Sequence, residues 1–135
     1  HLTTRRQRQM CIRDSHKVRT EFWGYAAKES LDNEAYIKEE YQGIRPAPGY
    51  PSCPDHRLKN DIWDLLDVEQ KINISLTDSL AMWPTASVSG LYFSHPQSRY
   101  FQLGRIDKDQ VEAYSKSRGE SIDENETWLS PVLGY

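Results

Sequence analysis

Three groups of residues in this sequence have types and spacings that could do chemistry. The first is Arg45-Pro46-Ala47-Pro48-Gly49-Tyr50, inside the stretch IRPAPGYPSCPDH at 44–56, which holds four prolines (Pro46, Pro48, Pro51, Pro54). Prolines fix φ, and Gly49 lets the backbone come close to something. Such a loop presents amides and carbonyls with little ordering entropy left to lose. Arg45 at its head could grip a carboxylate or phosphate with two parallel hydrogen bonds. The plainer alternative is a rigid connector between helices, with Arg45 in a surface ion pair.

The second group, Cys53, Asp55 and His56, could suggest a metal site helped by His16, His95 or Cys11. No zinc pattern is met, because no second Cys-x-x-Cys or His-x-x-x-His arm is present. A cysteine nucleophile paired with His56 or His95 has no better support. Cys53 is expected as a small buried residue and His56 in the first turn of a helix. The third group is Tyr92, Phe93, Tyr100 and Phe101. Neighbours along a strand point to opposite faces, so one of each pair would pack inside while the other could line a pocket. Cross-strand pairing for stability alone explains them equally well. The seven glycines are scattered, so no glycine-rich phosphate loop is formed.

The elements that must position these groups can be read from caps and periods. A helix is expected from Asp32, a plausible N-cap with Leu31 and Tyr36 as a staple across it, to about Tyr41, with Gly43 ending it. The proline stretch excludes helix and central strand. A second helix is expected at about 56–70, capped by Asp55, with Leu58, Ile62, Leu65, Leu66 and Glu69 at helical spacing and Trp63 and Asp64 toward the rim. Ile72 to Ser79 alternates as a strand does, and Ala81-Met82-Trp83-Pro84 closes it. Residues 86–93 and 99–105 read as two strands of a hairpin. A helix starts at Asp107, boxed by Gln110, and stops at Gly119; another starts at Ser121, boxed by Glu124, and ends before Pro131. The expected class is α+β, a small antiparallel twisted sheet flanked by helices.

Composition narrows the function classes. The 135 residues make at most one ordinary domain. Four Trp and eight Tyr are too many for a disordered acidic chain. No apolar run approaches the roughly 20 residues of a membrane span. Two cysteines exclude a disulfide framework, so a reducing, cytoplasmic setting is expected. The net charge of −3 hides a split. Residues 1–19 carry six basic side chains (Arg5, Arg6, Arg8, Arg13, Lys17, Arg19) against Asp14 alone, which leaves 11 basic and 19 acidic residues for the remainder. A basic arm on an acidic body can bind nucleic acid, but this arm has no aromatic residue for base stacking. Residues 1–15, HLTTRRQRQMCIRDS, show no apolar period, cap or turn signal. Their ending resembles translated sequencing adapter, so the segment is expected to be foreign to the domain, which would span 16–135.

From residue 16 on, the sequence resembles the C-terminal part of the activation domain of cobalamin-dependent methionine synthases. The matching stretches are Tyr41 to Pro51 (YQGIRPAPGYP), Ala81-Met82-Trp83-Pro84, Val88 to Pro96 (VSGLYFSHP), and Trp128-Leu129-Ser130-Pro131 with Leu133-Gly134-Tyr135. The Arg-x-x-x-Gly-Tyr signature in its proline-rich setting is the most specific of these.

The resemblance implies a domain that binds S-adenosylmethionine and supports reductive methylation of oxidised cobalamin. Methyl transfer from methyltetrahydrofolate to homocysteine could then resume. It implies that Arg45 holds the ligand, that Ala47 and Gly49 give backbone contacts, and that Tyr100 and Phe101 flank it. Glu39 would be a carboxylate near the site, and Tyr50 would lie close to the corrin when the domain docks. No catalytic acid, base or metal ligand is implied. The implied partners are a cobalamin-binding domain of the same enzyme and a flavodoxin-type electron donor, with neither nucleic acid nor membrane. The ligand chemistry agrees: a bidentate arginine suits the carboxylate, and aromatic faces suit the sulfonium and the purine.

One departure stands beside the match. In the family an upstream aspartate also contacts the ligand, and an upstream half completes the sheet; here the upstream positions hold Arg5, Arg6 and Arg8. The chain alone is therefore expected to bind its ligand weakly or not at all. The rival functions are a freestanding S-adenosylmethionine-binding subunit acting in trans on a cobalamin protein, and a nucleic-acid-binding module led by the basic arm.

Overall fold

The computed structural model describes residues 11–135, so Arg5, Arg6, Arg8 and the rest of residues 1–10 lie outside the described residues. The chain divides into two compact units, one running to Ile44 and including Tyr92–Arg99, the other comprising Arg45–Leu91 and Tyr100–Tyr135. Short helices combine with a two-stranded antiparallel sheet, the α+β class expected.

In the first unit, α1 (residues 11–17) runs into a wider turn, Val18–Phe22. Residues 11–15, which the sequence texture assigns to the foreign segment, are part of α1. Ser15 is buried, its Oγ 3.2 Å from Tyr92 Oη. The core of this unit is polar. Arg19 is buried and binds Glu29 through both Nε (2.7 Å) and Nη2 (2.8 Å), while its guanidinium lies 4.5 Å from the Tyr41 ring centre and 5.7 Å from that of Tyr36. A planar cation between aromatic faces and a carboxylate is well satisfied without water. Helix α2 (Asn33–Ile37) starts as expected, with Asp32 Oδ1 accepting from Ala35 N at 2.8 Å. It stops well before Tyr41 because Glu39 is left-handed, φ 58°.

In the second unit, the expected helix at 56–70 is two helices, α3 (Leu58–Leu66) and α4 (Val68–Ile72), separated by Asp67 in the left-handed region at φ 53°. The buried face of α3 is also not the one expected. Trp63 is buried, its indole N–H donating to Ile74 O at 2.8 Å, and Lys59, one turn earlier, is buried too. Leu65 is 83% exposed. Burying the indole removes more apolar area from water than burying a leucine, and its one polar atom finds a carbonyl. Asp55 does not cap this helix; its Oδ1 accepts from Arg57 N in a local turn.

The strand expected over Ile72 to Ser79 is shorter. β1 (Ser75–Leu76) pairs antiparallel with β2 (Met82–Trp83), Ser75 opposite Trp83 and Leu76 opposite Met82. A turn closed by Leu80 N donating to Thr77 O joins them. The expected hairpin of 86–93 with 99–105 does not form. Residue 91 pairs instead with the proline loop, Leu91 N donating to Pro46 O at 2.9 Å, and in the first unit Phe93 and Ile44 exchange both backbone bonds. Pro46 lacks an N–H, so this pairing cannot lengthen into a ladder.

Helices α5 (Lys108–Arg118) and α6 (Ile122–Leu129) start and stop at the expected residues. Gln110 Oε1 accepts from Asp107 N, Gly119 ends α5 at φ 69°, and Ser121 Oγ accepts from Glu124 N. They close on an apolar cluster of Ile106, Val111 and Leu129, covered by Tyr114, Val132 and Leu133.

Candidate functional site

The loop from Arg45 to Asp55 is held by a small number of backbone bonds, as its proline content requires. Tyr50 N donates to Ala47 O (3.2 Å), Gly49 N to Cys53 O (2.8 Å) and Cys53 N to Tyr50 O (2.8 Å). These fold residues 47–53 back on themselves. Gly49 sits at φ +95°, and a Cβ there would run into the His56 ring. Any side chain would therefore be strained twice, once by the backbone and once by the imidazole. Pro46 and Pro48 are buried, while Gly49 and Tyr50 at the loop's tip are exposed.

Arg45 and Tyr100 meet. The backbone amide of Arg45 donates to Tyr100 Oη at 2.8 Å. Gly90 comes up against the same loop: a Cβ there would lie 3.1 Å from Pro46 O, 3.5 Å from Arg45 Cγ and 3.8 Å from Ala47 Cβ. Arg45, Ala47, Gly49, Tyr50, Tyr100 and Phe101 thus belong to one unit, with Tyr50, Tyr100 and Phe101 all presenting aromatic surface to solvent (66%, 38% and 55% exposed). Glu39 belongs to the other unit and is exposed on a left-handed backbone. Tyr92 and Phe93 are in that other unit as well, where Phe93 is exposed and Tyr92 reaches Ser15.

The loop's C-terminal end is anchored by a buried ionic network that the sequence did not disclose. Arg57 Nη2 donates to Asp55 Oδ2 (2.7 Å) and Asn125 Oδ1 (2.6 Å), and Arg57 Nη1 to Glu120 Oε2 (2.6 Å). Tyr114 Oη donates to Asp55 Oδ2 at 2.7 Å. Burial pushes the Asp55 carboxyl up, but the bonds from Arg57 and Tyr114 outweigh it and hold the group below its ordinary range. Burial and the bond to Asp55 push the Tyr114 phenol up to about 12. A buried ion pair is worth little over an apolar substitute, yet breaking it is costly. Its effect here is to fix the loop end to α5 and α6.

The metal and nucleophile readings gain nothing. Burial, then Asp55, push the Cys53 thiol up, which is the wrong direction for a thiolate nucleophile. Among the described residues no cluster of His, Cys, Asp and Glu is placed to hold a metal, and Cys11 and Cys53 are free thiols. His95 accepts from Gln97 N within its own turn. The residues that sequence reasoning passed over are Gly90, Arg57 and Lys59. Gly90 had a signal, a glycine inside a strand-like run, which marks close approach of another backbone. Arg57 and Lys59 had none, since a basic residue on a helix reads as solvated.

Residues 11–119 match the family model for the vitamin B12 dependent methionine synthase, activation domain. Among solved structures the chain is similar to the crystal structure of the MetH reactivation domain bound to AdoHcy, with 57% identity and a TM-score of 0.84. That match covers 89% of this chain and 37% of the solved one, so the chain spans little more than a third of its relative's length. No helix among the described residues is long and apolar enough to cross a membrane.

Proposed function

The chain belongs to the activation-domain family of vitamin B12 dependent methionine synthase, and from that premise we propose that its proline-rich loop binds S-adenosylmethionine. The observation that carries this is the contact of Arg45 N with Tyr100 Oη, which brings the signature arginine and the aromatic pair into one unit. The neighbour crystallised with AdoHcy, a ligand with the same amino-acid and adenosyl groups, supports it.

The residues present fit that ligand. Arg45 would clamp the carboxylate with a planar, charge-assisted fork. Ala47 and Gly49 would offer backbone groups. Tyr100 and Phe101 would supply faces for the sulfonium and the purine. Glu39 is proposed as a further carboxylate of the ligand environment, and Tyr50 as the exposed residue that meets the corrin. Cobalamin, held by a neighbouring domain of the whole enzyme, would supply the methyl-accepting cobalt. The task left to this chain is placement and exclusion of water, for which no acid, base or metal ligand is needed. The whole protein would then be a cytoplasmic methyltransferase whose reactivation uses a flavodoxin-type donor. The foreign origin of residues 1–15 is a proposal that the gene sequence upstream of His16 decides.

The test is calorimetric binding of S-adenosylmethionine to the full-length enzyme. Arg45→Ala should weaken binding by about 1.5–3 kcal/mol, because a charged contact is lost and a carboxylate is stranded. Arg45→Lys should recover only part of that. Arg99→Ala should change little, since Arg99 is spent on the carbonyls of Pro96 and Ser98. Equal affinity of wild type and Arg45→Ala would remove the proposal.

A further inference from the structure

The imidazole of His56 lies against the Cα of Gly49. A Cβ on Gly49 would overlap the ring, coming within 2.6 Å of Nε2 and 2.7 Å of Nδ1 and closer still to Cε1. Lys59, on α3, holds the same ring: its Nζ is 2.9 Å from His56 Nδ1 and donates to Leu80 O at 2.7 Å. Lys59 is buried, and no carboxylate among the described residues pairs with it. With Lys59 protonated its ammonium can only donate, so Nδ1 is then the acceptor and the ring is neutral with its proton on Nε2.

We propose that His56 is a positioning residue for the ligand loop. Its neutral ring, fixed by Lys59, props the backbone of residues 47–50 in its binding shape, and protonation of the ring releases it. The functional half of this rests on the reading of the loop as the S-adenosylmethionine site. The charged groups facing the ring are Lys59 from α3 and Asp55 from its own segment. Asp55 is already bonded to Arg57 and Tyr114, and two cations cannot share the 2.9 Å between Nδ1 and Nζ. The ring must therefore leave Lys59 when it is protonated, and Gly49 loses the surface it packs on. Burial and then Lys59 lower the imidazole's affinity for a proton and outweigh Asp55, which raises it, so release comes at lower pH than for an ordinary histidine.

The test is an NMR titration of the full chain from about pH 8 to about pH 5, following the His56 ring and the Gly49 amide. Both should move with one midpoint, lower than that of histidine in an unstructured peptide, and Lys59→Met should raise it. In the full-length enzyme, AdoHcy affinity should fall about tenfold per pH unit below that midpoint. His56→Gln, whose amide oxygen can accept from Lys59 without titrating, should flatten the profile. A Gly49 amide that ignores His56 protonation, or a flat profile in the wild type, would overturn the proposal. Coupled midpoints with no AdoHcy binding at any pH would support the His56–Gly49 coupling and overturn the ligand reading of the loop.

Discussion

The backbone amide of Arg45 donates to the phenolic oxygen of Tyr100 at 2.8 Å, across 55 residues of sequence. Three of the next six residues are prolines and have no amide to give, so a side-chain acceptor fixes the loop where a ladder cannot. Tyr100→Phe keeps the ring and removes the acceptor. Stability to denaturant should fall by about 0.5–1.5 kcal/mol, toward the lower end because Tyr100 is 38% exposed and water can replace its oxygen. A Tyr100→Phe protein as stable as wild type would show that the bond contributes nothing.

Two glycines with similar backbone angles should behave differently when substituted. Gly43 (φ +82°) faces the Phe93 carbonyl, which a Cβ would strike, whereas Gly104 (φ +73°) has nothing within 4 Å. Gly104→Ala should cost about 1–2 kcal/mol, the ordinary penalty of a left-handed alanine. Gly43→Ala should cost clearly more, because the obstacle is backbone and cannot swing aside. Thermal unfolding of the two variants side by side decides this, and equal costs would contradict the packing at Gly43.

Acid should weaken the second unit through Asp55. Its folded carboxyl is held below the ordinary 3.8, so its contribution is present above that value and is lost as pH falls through the folded value. Asp55→Asn should remove that acid sensitivity and cost about 3–5 kcal/mol near neutrality, since Arg57 is left buried without its main partner. Tyr114 runs the opposite way. Its folded value of about 12 lies above the ordinary 10, so its bond stabilises fully below pH 10 and is lost as pH rises through about 12. Stability measured against pH for wild type, Asp55→Asn and Tyr114→Phe would show whether these slopes belong to these residues.

Arg19 counts toward the basic N-terminal segment by composition, yet its charge is spent on Glu29 inside the first unit. Arg19→Met should destabilise that unit, by up to about 3–5 kcal/mol, because the buried Glu29 carboxylate would keep only His16 Nδ1 (3.0 Å) and Tyr36 Oη (3.3 Å) as partners. The double variant Arg19→Met with Glu29→Gln should recover much of the loss, because no unpaired charge then remains. A double variant as unstable as Arg19→Met alone would mean that packing against Tyr36 and Tyr41, not charge, dominates.

The parts legible from sequence are those governed by neighbours a few residues away. Asp32, Gln110, Gly119 and Ser121 bound their helices because a cap bonds an amide three residues on, or because a glycine takes a left-handed angle at little cost. The proline loop could be excluded from helix and central strand for the same kind of reason, and its motif was the most specific of the stretches that pointed to the family. Helix ends set by non-glycine residues in left-handed backbone, Glu39 and Asp67, were not legible, because nothing in their types requires that angle.

Tertiary structure decided what is buried and what pairs with what. Lys59 lies inside and Leu65 outside because a carbonyl 21 residues away, at Leu80, receives the ammonium, and no helical period encodes that partner. Arg57 is tolerated in the interior because Asn125, 68 residues on, and Asp55 satisfy its guanidinium. Residue 91 pairs with Pro46 and residue 93 with Ile44, neither with 99–105, although both runs have strand-like composition. A sequence records which side chains carry donors, charges or apolar area. Which of them can leave water is settled only when a distant group arrives to replace the water's hydrogen bonds.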